Sequence, residues 1–404
     1  MRAYERLMRY AQVDTQSDEN GAKVPSTEKQ YAFAWLLRNE MNDLGVQRVM
    51  TDKHAYTYGF VPASPGREGE PVIGLIAHID TAPDFTGTGV KPQLHKNYDG
   101  GDVALGTSGR VLRPADFPDL KDAVGQTLIT TDGTTLLGAD DKAGVAEIIT
   151  LLEKLLHEKH SHAAVAVCFP PDEEIGHGAA LLDLKRFGAA YAYTVDGDEV
   201  CEINFETFNA AAASFEIRGV SVHPGSAKDI MVNAALLGVE IAAQLPPEET
   251  PARTEGYEGF FHLTDMEGDV SAARIKYIVR DHDAAHFAAR LDLLRRIERE
   301  MNGKYGAGTV TLTVTEQYRN MAEVLENHME IVARAERAIR KAGIEPVRRP
   351  VRGGTDGSQL SFRGLPCPNL GTGGAAFHGP FEHITVEAMD KVVGILLNIV
   401  CAEN

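Results

Sequence analysis

Apolar residues recur at helical spacing between residues 26 and 44, where Phe33, Leu36, Leu37, Met41 and Leu44 share one face of a 3.6-residue repeat. Ser26 or Thr27 can cap the start of this helix, and Gly45 is placed to end it. Beyond it the pattern shortens. Residues 72–77, 163–169 and 190–195 are brief apolar runs of the kind buried on both faces of a sheet, and a strong helical pattern over 143–157 separates the first from the second. Strand alternating with helix predicts an open α/β sheet covered on both faces.

From about 209 to 316 the pattern changes. Residues 210–217 alternate as a strand, 229–244 read as a helix, 271–279 as a strand, 284–301 as a helix and 309–315 as a closing strand. That is a small sandwich of helices on one sheet, able to fold separately. The remainder brings a helix near 328–341, a glycine-rich loop at 352–359 and a last helix from 385. The expected architecture is a split α/β catalytic domain with a central mixed sheet, residues 1–207 and 319–404. A smaller α+β, ferredoxin-like domain at 208–318 is inserted into it.

Composition narrows the partners more than the fold. The 404 residues are 43% hydrophobic and 24% charged, an ordinary globular balance with ample material for a core. A formal net charge of −18 argues against nucleic acid, which is bound through clustered Lys and Arg. The Met1-Arg-Ala-Tyr-Glu start has no apolar signal core and no apolar run reaches membrane length, so no membrane partner is expected. Cys168, Cys201, Cys367 and Cys401 lie far apart without CxxC spacing and read as free thiols in a reducing cytoplasm.

The candidate chemistry lies at the strand ends. His78 and Asp80 follow the first apolar run, Glu173 and Glu174 follow the second, and Asp196 directly follows the third. Asp140 and Asp141 stand in Gly138-Ala-Asp-Asp-Lys-Ala-Gly144, just before a helix. In open α/β sheets ligands bind outside the carboxyl ends of the strands. Four loops therefore deliver carboxylates and an imidazole to one sheet edge, where they would repel one another unless cations neutralise them. Two divalent ions sharing a bridging carboxylate would do so, and the ligand mixture suits zinc, with cobalt or manganese also fitting. Each piece alone has a plainer reading: a chance tripeptide at His78, an acidic turn at Glu173-Glu174, a helix cap at Asp140-Asp141. The His157, His160 and His162 group lies away from the strand tips and reads as solvated surface. The glycine-rich Arg352-Gly-Gly-Thr-Asp-Gly357 lacks the pattern of a phosphate loop.

Ala77-His-Ile-Asp-Thr81, Gly138-Ala-Asp-Asp-Lys-Ala-Gly144, Pro171-Asp-Glu-Glu174 and Thr194-Val-Asp-Gly197 resemble the co-catalytic metallopeptidases of the M20 type. Asn97-Tyr-Asp-Gly-Gly-Asp-Val-Ala-Leu105, Thr254-Glu-Gly-Tyr-Glu-Gly259, Arg352-Gly-Gly-Thr-Asp-Gly357 and Gly364-Leu-Pro-Cys-Pro-Asn-Leu370 are similar to a branch that removes the N-terminal residue from tripeptides. The resemblance implies His78, Asp140 and Asp196 on one metal, and Asp140, Glu174 and His378 on the other. His378 and His383 both stand in the last segment, and position favours His378. The resemblance further implies Asp80 orienting the imidazole of His78, and Glu173 as general base. It also implies His223, in Gly219-Val-Ser-Val-His-Pro-Gly225, stabilising the oxyanion from its own subunit or from a partner in a homodimer formed through the insert. A peptide's free carboxylate calls for a bidentate arginine, with Arg280 the first candidate and Arg352 the second. A related dipeptidase or N-acyl amino acid deacylase could share this framework, as could a non-catalytic metal-dependent peptide-binding protein. Glu173 speaks against the last, because simple metal binding needs no positioned base.

Overall fold

The computed structural model describes residues 1–401, and their contacts divide into two compact units. The first comprises Met1–Phe205, Glu323–Arg349 and the chain from Thr355 on. The second comprises Glu206–Ala322 with Pro350–Gly354, so a five-residue piece beyond the expected insert belongs with it.

The first unit is built on an eight-stranded mixed sheet in the order Gln47–Thr51, Thr57–Val61, Val165–Phe169, Ile73–Ile76, Tyr191–Gly197, Asn369–Gly371, Glu202–Asn204, Val347–Arg348. The four strands from Val165–Phe169 to Asn369–Gly371 run parallel, so their carboxyl ends share one edge. Side chains alternate between two covered faces, which is why these strands read as unbroken apolar runs. Leu75, Val167, Tyr193 and Val195 join a large core with the helices Ala3–Tyr10, Gln30–Leu44, Ala139–His157, Met329–Lys341 and Val386–Cys401. Ile76, Cys168 and Ala192 face a smaller core with Tyr56, Phe187, Leu360 and Leu365.

The Ala139–His157 helix is buried over most of its surface, its few buried charged residues, Asp141, Lys142 and Glu147, included. Gly144 lets it approach the sheet: a Cβ there would lie 2.0 Å from the Val195 carbonyl oxygen. The helix begins earlier than the sequence predicts, and its first turn departs from helical geometry at Asp140 and Asp141. The Gln30–Leu44 helix starts later than predicted, because Ser26 spends its hydroxyl on Asp172 instead of capping. Gly45 does end it, in the left-handed region at φ 89°.

A second, four-stranded sheet in the first unit runs Gly374–Ala375, His383–Thr385, Leu128–Thr130, Gln93–His95. Its hairpin between Ala375 and His383 carries His378, held at φ 63°, where a residue with a side chain is uncommon.

The second unit is an antiparallel sheet in the order Phe260–Gly268, Ala272–Asp281, Asn209–Arg218, Val310–Tyr318 with the helices Ala234–Ala242 and Ala284–Tyr305 on one face. The βαββαβ sequence with this strand order is the ferredoxin-like arrangement. Phe215, Ile275, Tyr277, Leu294 and Ile297 form its own core. Two predicted elements change and one is added, here and in the first unit. The Phe260–Gly268 strand is an addition; its solvent-facing pattern hid it. The helix predicted from 229 begins only at Ala234, where Asn233 accepts a hydrogen bond from the Leu236 amide. In the predicted glycine-rich loop, Thr355 caps a helix, Asp356–Phe362. No helix among the described residues is long and apolar enough to cross a membrane.

Candidate metal centre

The carboxyl edge of the parallel strands gathers the predicted groups. His78 lies two residues past the Ile73–Ile76 strand and Asp196 lies within Tyr191–Gly197. The acidic pair follows Val165–Phe169, and Asp140 opens its helix. The two oxygens of Asp140 serve two different imidazoles: Oδ1 is 2.9 Å from His78 Nε2, and Oδ2 is 3.2 Å from His378 Nε2. Asp196 Oδ1 completes the first cluster at 3.4 Å from His78 Nε2, and Glu174 Oε2 completes the second at 3.0 Å from His378 Nε2. His383 is drawn elsewhere, buried with its Nε2 2.6 Å from Asp119.

The surroundings fix these groups from behind. His78 Nδ1 lies 3.1 Å from the Asp80 carbonyl oxygen and 3.3 Å from its carboxylate. That carboxylate also accepts the backbone N–H groups of Glu173 at 3.0 Å and Glu174 at 3.3 Å. Asp80 therefore touches three predicted site residues at once. Asp141, which could join His78 and Asp196 around an ion, accepts the His78 backbone N–H at 3.0 Å and anchors that loop.

Two residues that sequence reasoning missed belong here. Glu382 is buried and accepts the N–H groups of Leu137 at 2.7 Å, Gly138 at 2.8 Å and Asp140 at 3.0 Å, tying the His378 hairpin to the loop that presents Asp140. Glu382 sits at the N-terminus of the Ala139–His157 helix but comes from just before the His383–Thr385 strand, so no local pattern marks it. Asp356 is buried beside Gly178, where a Cβ would meet its carboxylate, and adds another negative charge near Glu173.

The cluster holds more negative than positive charge. Burial alone would lower the His78 pKa, but Asp196, Asp140 and Asp80 hold it well above its usual value. Hydrogen bonds to Asp140 and Glu174 raise His378 to about 11. Burial works against Asp140, yet the two imidazoles keep it below the carboxylate range. Glu174 rises to about 8 through burial and the neighbouring Asp140, and Asp196 to about 6 through burial. Burial, Asp196 and Asp356 push Glu173 well above the normal carboxylate value. Glu174 Oε1 is buried without a hydrogen-bond partner. Surplus carboxylates and an unmet acceptor, interleaved with two imidazoles, are a donor set that fits divalent cations.

The other predicted residues lie in the second unit. Arg280 is half-buried, donates to Gln317 Oε1 at 2.9 Å and stacks over Tyr318. No carboxylate pairs with it among the described residues. Arg352 does not stand free as a clamp. It donates to the carbonyl oxygens of Gly256 and Glu258, and to both oxygens of Thr254, and it stacks on Phe208 and Phe260. Its guanidinium braces a loop. His223 is exposed and accepts the Gly225 N–H on Nδ1 at 3.1 Å, which leaves Nε2 to carry the proton. His162, read as surface, is buried, with Nδ1 2.9 Å from the Ala163 carbonyl.

An open α/β sheet whose carboxyl edge gathers two imidazoles and several carboxylates, with one aspartate facing both imidazoles, is the framework of a metal-dependent hydrolase. Residues 131–402 match Peptidase family M20/M25/M40. The chain is 50% identical over 398 residues to Peptidase T of Desulfitobacterium hafniense, covering 98% of this chain and 97% of that one. It is 48% identical over 400 residues to Peptidase T of Clostridium perfringens, covering 99% and 98%. Among solved structures, an aminopeptidase PepT from Bacillus cereus superposes with a TM-score of 0.76 at 25% identity, covering 99% of this chain and 97% of that one. The chain belongs to peptidase family M20/M25/M40.

Proposed function

We propose that this protein is a metal-dependent aminopeptidase that removes the N-terminal residue from short peptides, preferentially tripeptides. His78, Asp140 and Asp196 would hold one ion, and Asp140, Glu174 and His378 the other. The observation that carries the reading is the division of Asp140 between two imidazoles, since one carboxylate facing two clusters is what a bridge requires. Its relatives named Peptidase T support the substrate class. Zinc suits the ligands, with cobalt or manganese also compatible.

When bound, the ions would supply Lewis acidity, acidifying a water and polarising the scissile carbonyl. Glu173 accepts a proton from the attacking water on its carboxylate and passes it to the leaving amine nitrogen. Asp80 keeps His78 Nδ1 engaged so that Nε2 faces Asp140, and it fixes the backbone that presents Glu173 and Glu174. Arg280, a half-buried cation without an acidic partner, receives the substrate's carboxylate. Arg352 acts on the substrate site only by holding its loop.

His223 donates from Nε2 to the developing oxyanion. The exposed Leu236 and Val239 on the Ala234–Ala242 helix, with Phe260–Gly268 at the edge of its sheet, support a homodimer through the insert. His223→Ala is expected to lower turnover about 10²–10³-fold with metal content unchanged. Mixing it with Glu173→Ala subunits restores activity only if the histidine serves its partner; a fully active His223→Ala protein would return the residue to its turn. The acidic charge and four unpaired thiols support a cytoplasmic protein with no nucleic-acid or membrane partner.

The deciding assay gives metal-reconstituted protein free and N-acetylated di-, tri- and tetrapeptides. Unblocked tripeptides should be cut fastest, and N-acetylation should abolish cleavage. Efficient release of acetate from N-acetyl amino acids would favour a deacylase, and preference for dipeptides a dipeptidase. Metal and peptide binding without turnover would leave a binding protein.

A further inference from the structure

The segment from Val13 to Gln30 holds little regular structure, yet it grips three loops of the centre. Lys142 Nζ, two residues past Asp140, donates to the Val13 carbonyl at 2.7 Å. Thr81, just past His78 and Asp80, donates its N–H to the Thr15 carbonyl at 3.4 Å, and its carbonyl accepts the Ser17 N–H at 3.1 Å. Gln16 Nε2 donates to the carbonyls of Ala82 and Phe85, both at 3.1 Å. The strongest grip is on Asp172, immediately before the acidic pair. Its carboxylate accepts the Ser26 N–H at 2.7 Å, the Ser26 hydroxyl at 2.6 Å and Gln30 Nε2 at 2.6 Å.

Asp172 is fully buried and sits at φ 57°, a left-handed conformation uncommon for residues with a Cβ though commoner for Asp than for most, and its surroundings hold it there. Three donors converging on one carboxylate are such a hold, and hydrogen bonds to a charged acceptor are stronger than neutral ones. The peptide units that follow Asp172 present the Glu173 and Glu174 amides to Asp80. The acidic loop is thus fixed from both sides, by Asp80 on its amides and by the Ser26–Gln30 clasp on the preceding residue. A plain structural contact would need no buried carboxylate with three partners, because a loop can be packed by apolar groups at less desolvation cost.

We infer that Asp172, clasped by Ser26 and Gln30, is a positioning residue that sets the aim of Glu173 and Glu174, so that the 13–30 segment tunes turnover without touching the substrate. This rests on the aminopeptidase reading given above. Outer partners of this kind typically change activity or metal affinity about 10–100-fold.

The test uses the full chain carrying Asp172→Asn, Ser26→Ala, or the reversed pair Asp172→Asn with Gln30→Glu, in which the amide donates to residue 30. Tripeptide kcat and KM, metal content, melting temperature and hydrogen exchange across residues 170–178 are measured with and without added metal. Asp172→Asn should lower kcat about 10–100-fold, leave KM within about threefold, keep parental metal content and speed exchange in the acidic loop. Ser26→Ala should move kcat and exchange the same way by less, and the reversed pair should recover part of both. An Asp172→Asn protein of normal melting temperature with kcat within about twofold of the parent would overturn the inference. So would losses explained wholly by missing metal or unfolding while Ser26→Ala behaves as the parent. A parent inactive on every peptide sinks the aminopeptidase reading instead, and loop exchange then decides the clasp: unchanged exchange refutes it.

Discussion

Glu173→Ala is expected to lower turnover about 10²–10⁴-fold while the purified protein keeps its parental metal content. Among the described residues no hydrogen bond or ion pair joins the Glu173 side chain to either imidazole cluster, whereas its neighbour Glu174 lies 3.0 Å from His378 Nε2. Its side chain is half-buried beside Asp196 and Asp356, whose charges, with burial, push its pKa well up. A carboxylate so placed binds a proton readily, as a base must. Removing it leaves the ligands in place, because Asp80 fixes this loop through backbone N–H groups that alanine retains. The loss should therefore fall on kcat more than on KM. Metal analysis beside steady-state kinetics checks it. Near-parental turnover would remove Glu173 as the base, and loss of metal would make it a ligand.

Asp140→Ala should be more severe, abolishing measurable turnover and costing both ions, while His378→Ala mainly weakens one. The asymmetry follows from geometry. Each Asp140 oxygen faces a different imidazole, so deleting the carboxylate disarms both clusters, whereas deleting His378 leaves His78 and Asp196 together. The fold should survive, because Glu382 grips the Asp140 backbone N–H rather than its side chain. Metal content of the two purified variants, with circular dichroism as a control, is the measurement. Two retained ions in Asp140→Ala would refute the bridge.

The fold was legible where local pattern and burial coincide. The Ile73–Ile76 and Val165–Phe169 strands lie within predicted apolar runs, and Gly45 ends its helix as a left-handed glycine should. Elements that pack weakly were harder. Phe260–Gly268 shows mostly solvent-facing residues, so no apolar alternation marks it, and only pairing with Ala272–Asp281 makes it a strand. Caps misled where a side chain had a more distant use: Ser26 has a capping residue's chemistry, but its hydroxyl serves an aspartate 146 positions away. Arg352 and Arg280 look alike in sequence. Only the fold spends one on backbone carbonyls and leaves the other without an acid.

By itself the sequence determined which kinds of group stand at the sheet edge, because strands end where apolar runs end and the residues that follow must emerge at the carboxyl side. It also carried the family, since the motifs lie in matching order along nearly the whole chain. Tertiary structure alone decided how those groups meet. His378 reaches Asp140 across 238 positions, and Glu382 reaches Leu137 across 245. Such contacts depend on where the Gly374–Ala375 and His383–Thr385 hairpin docks and on the left-handed backbone at His378, not on any local preference. Local sequence sets which dihedrals are cheap, but long-range packing selects among them, and a metal centre is built from that selection.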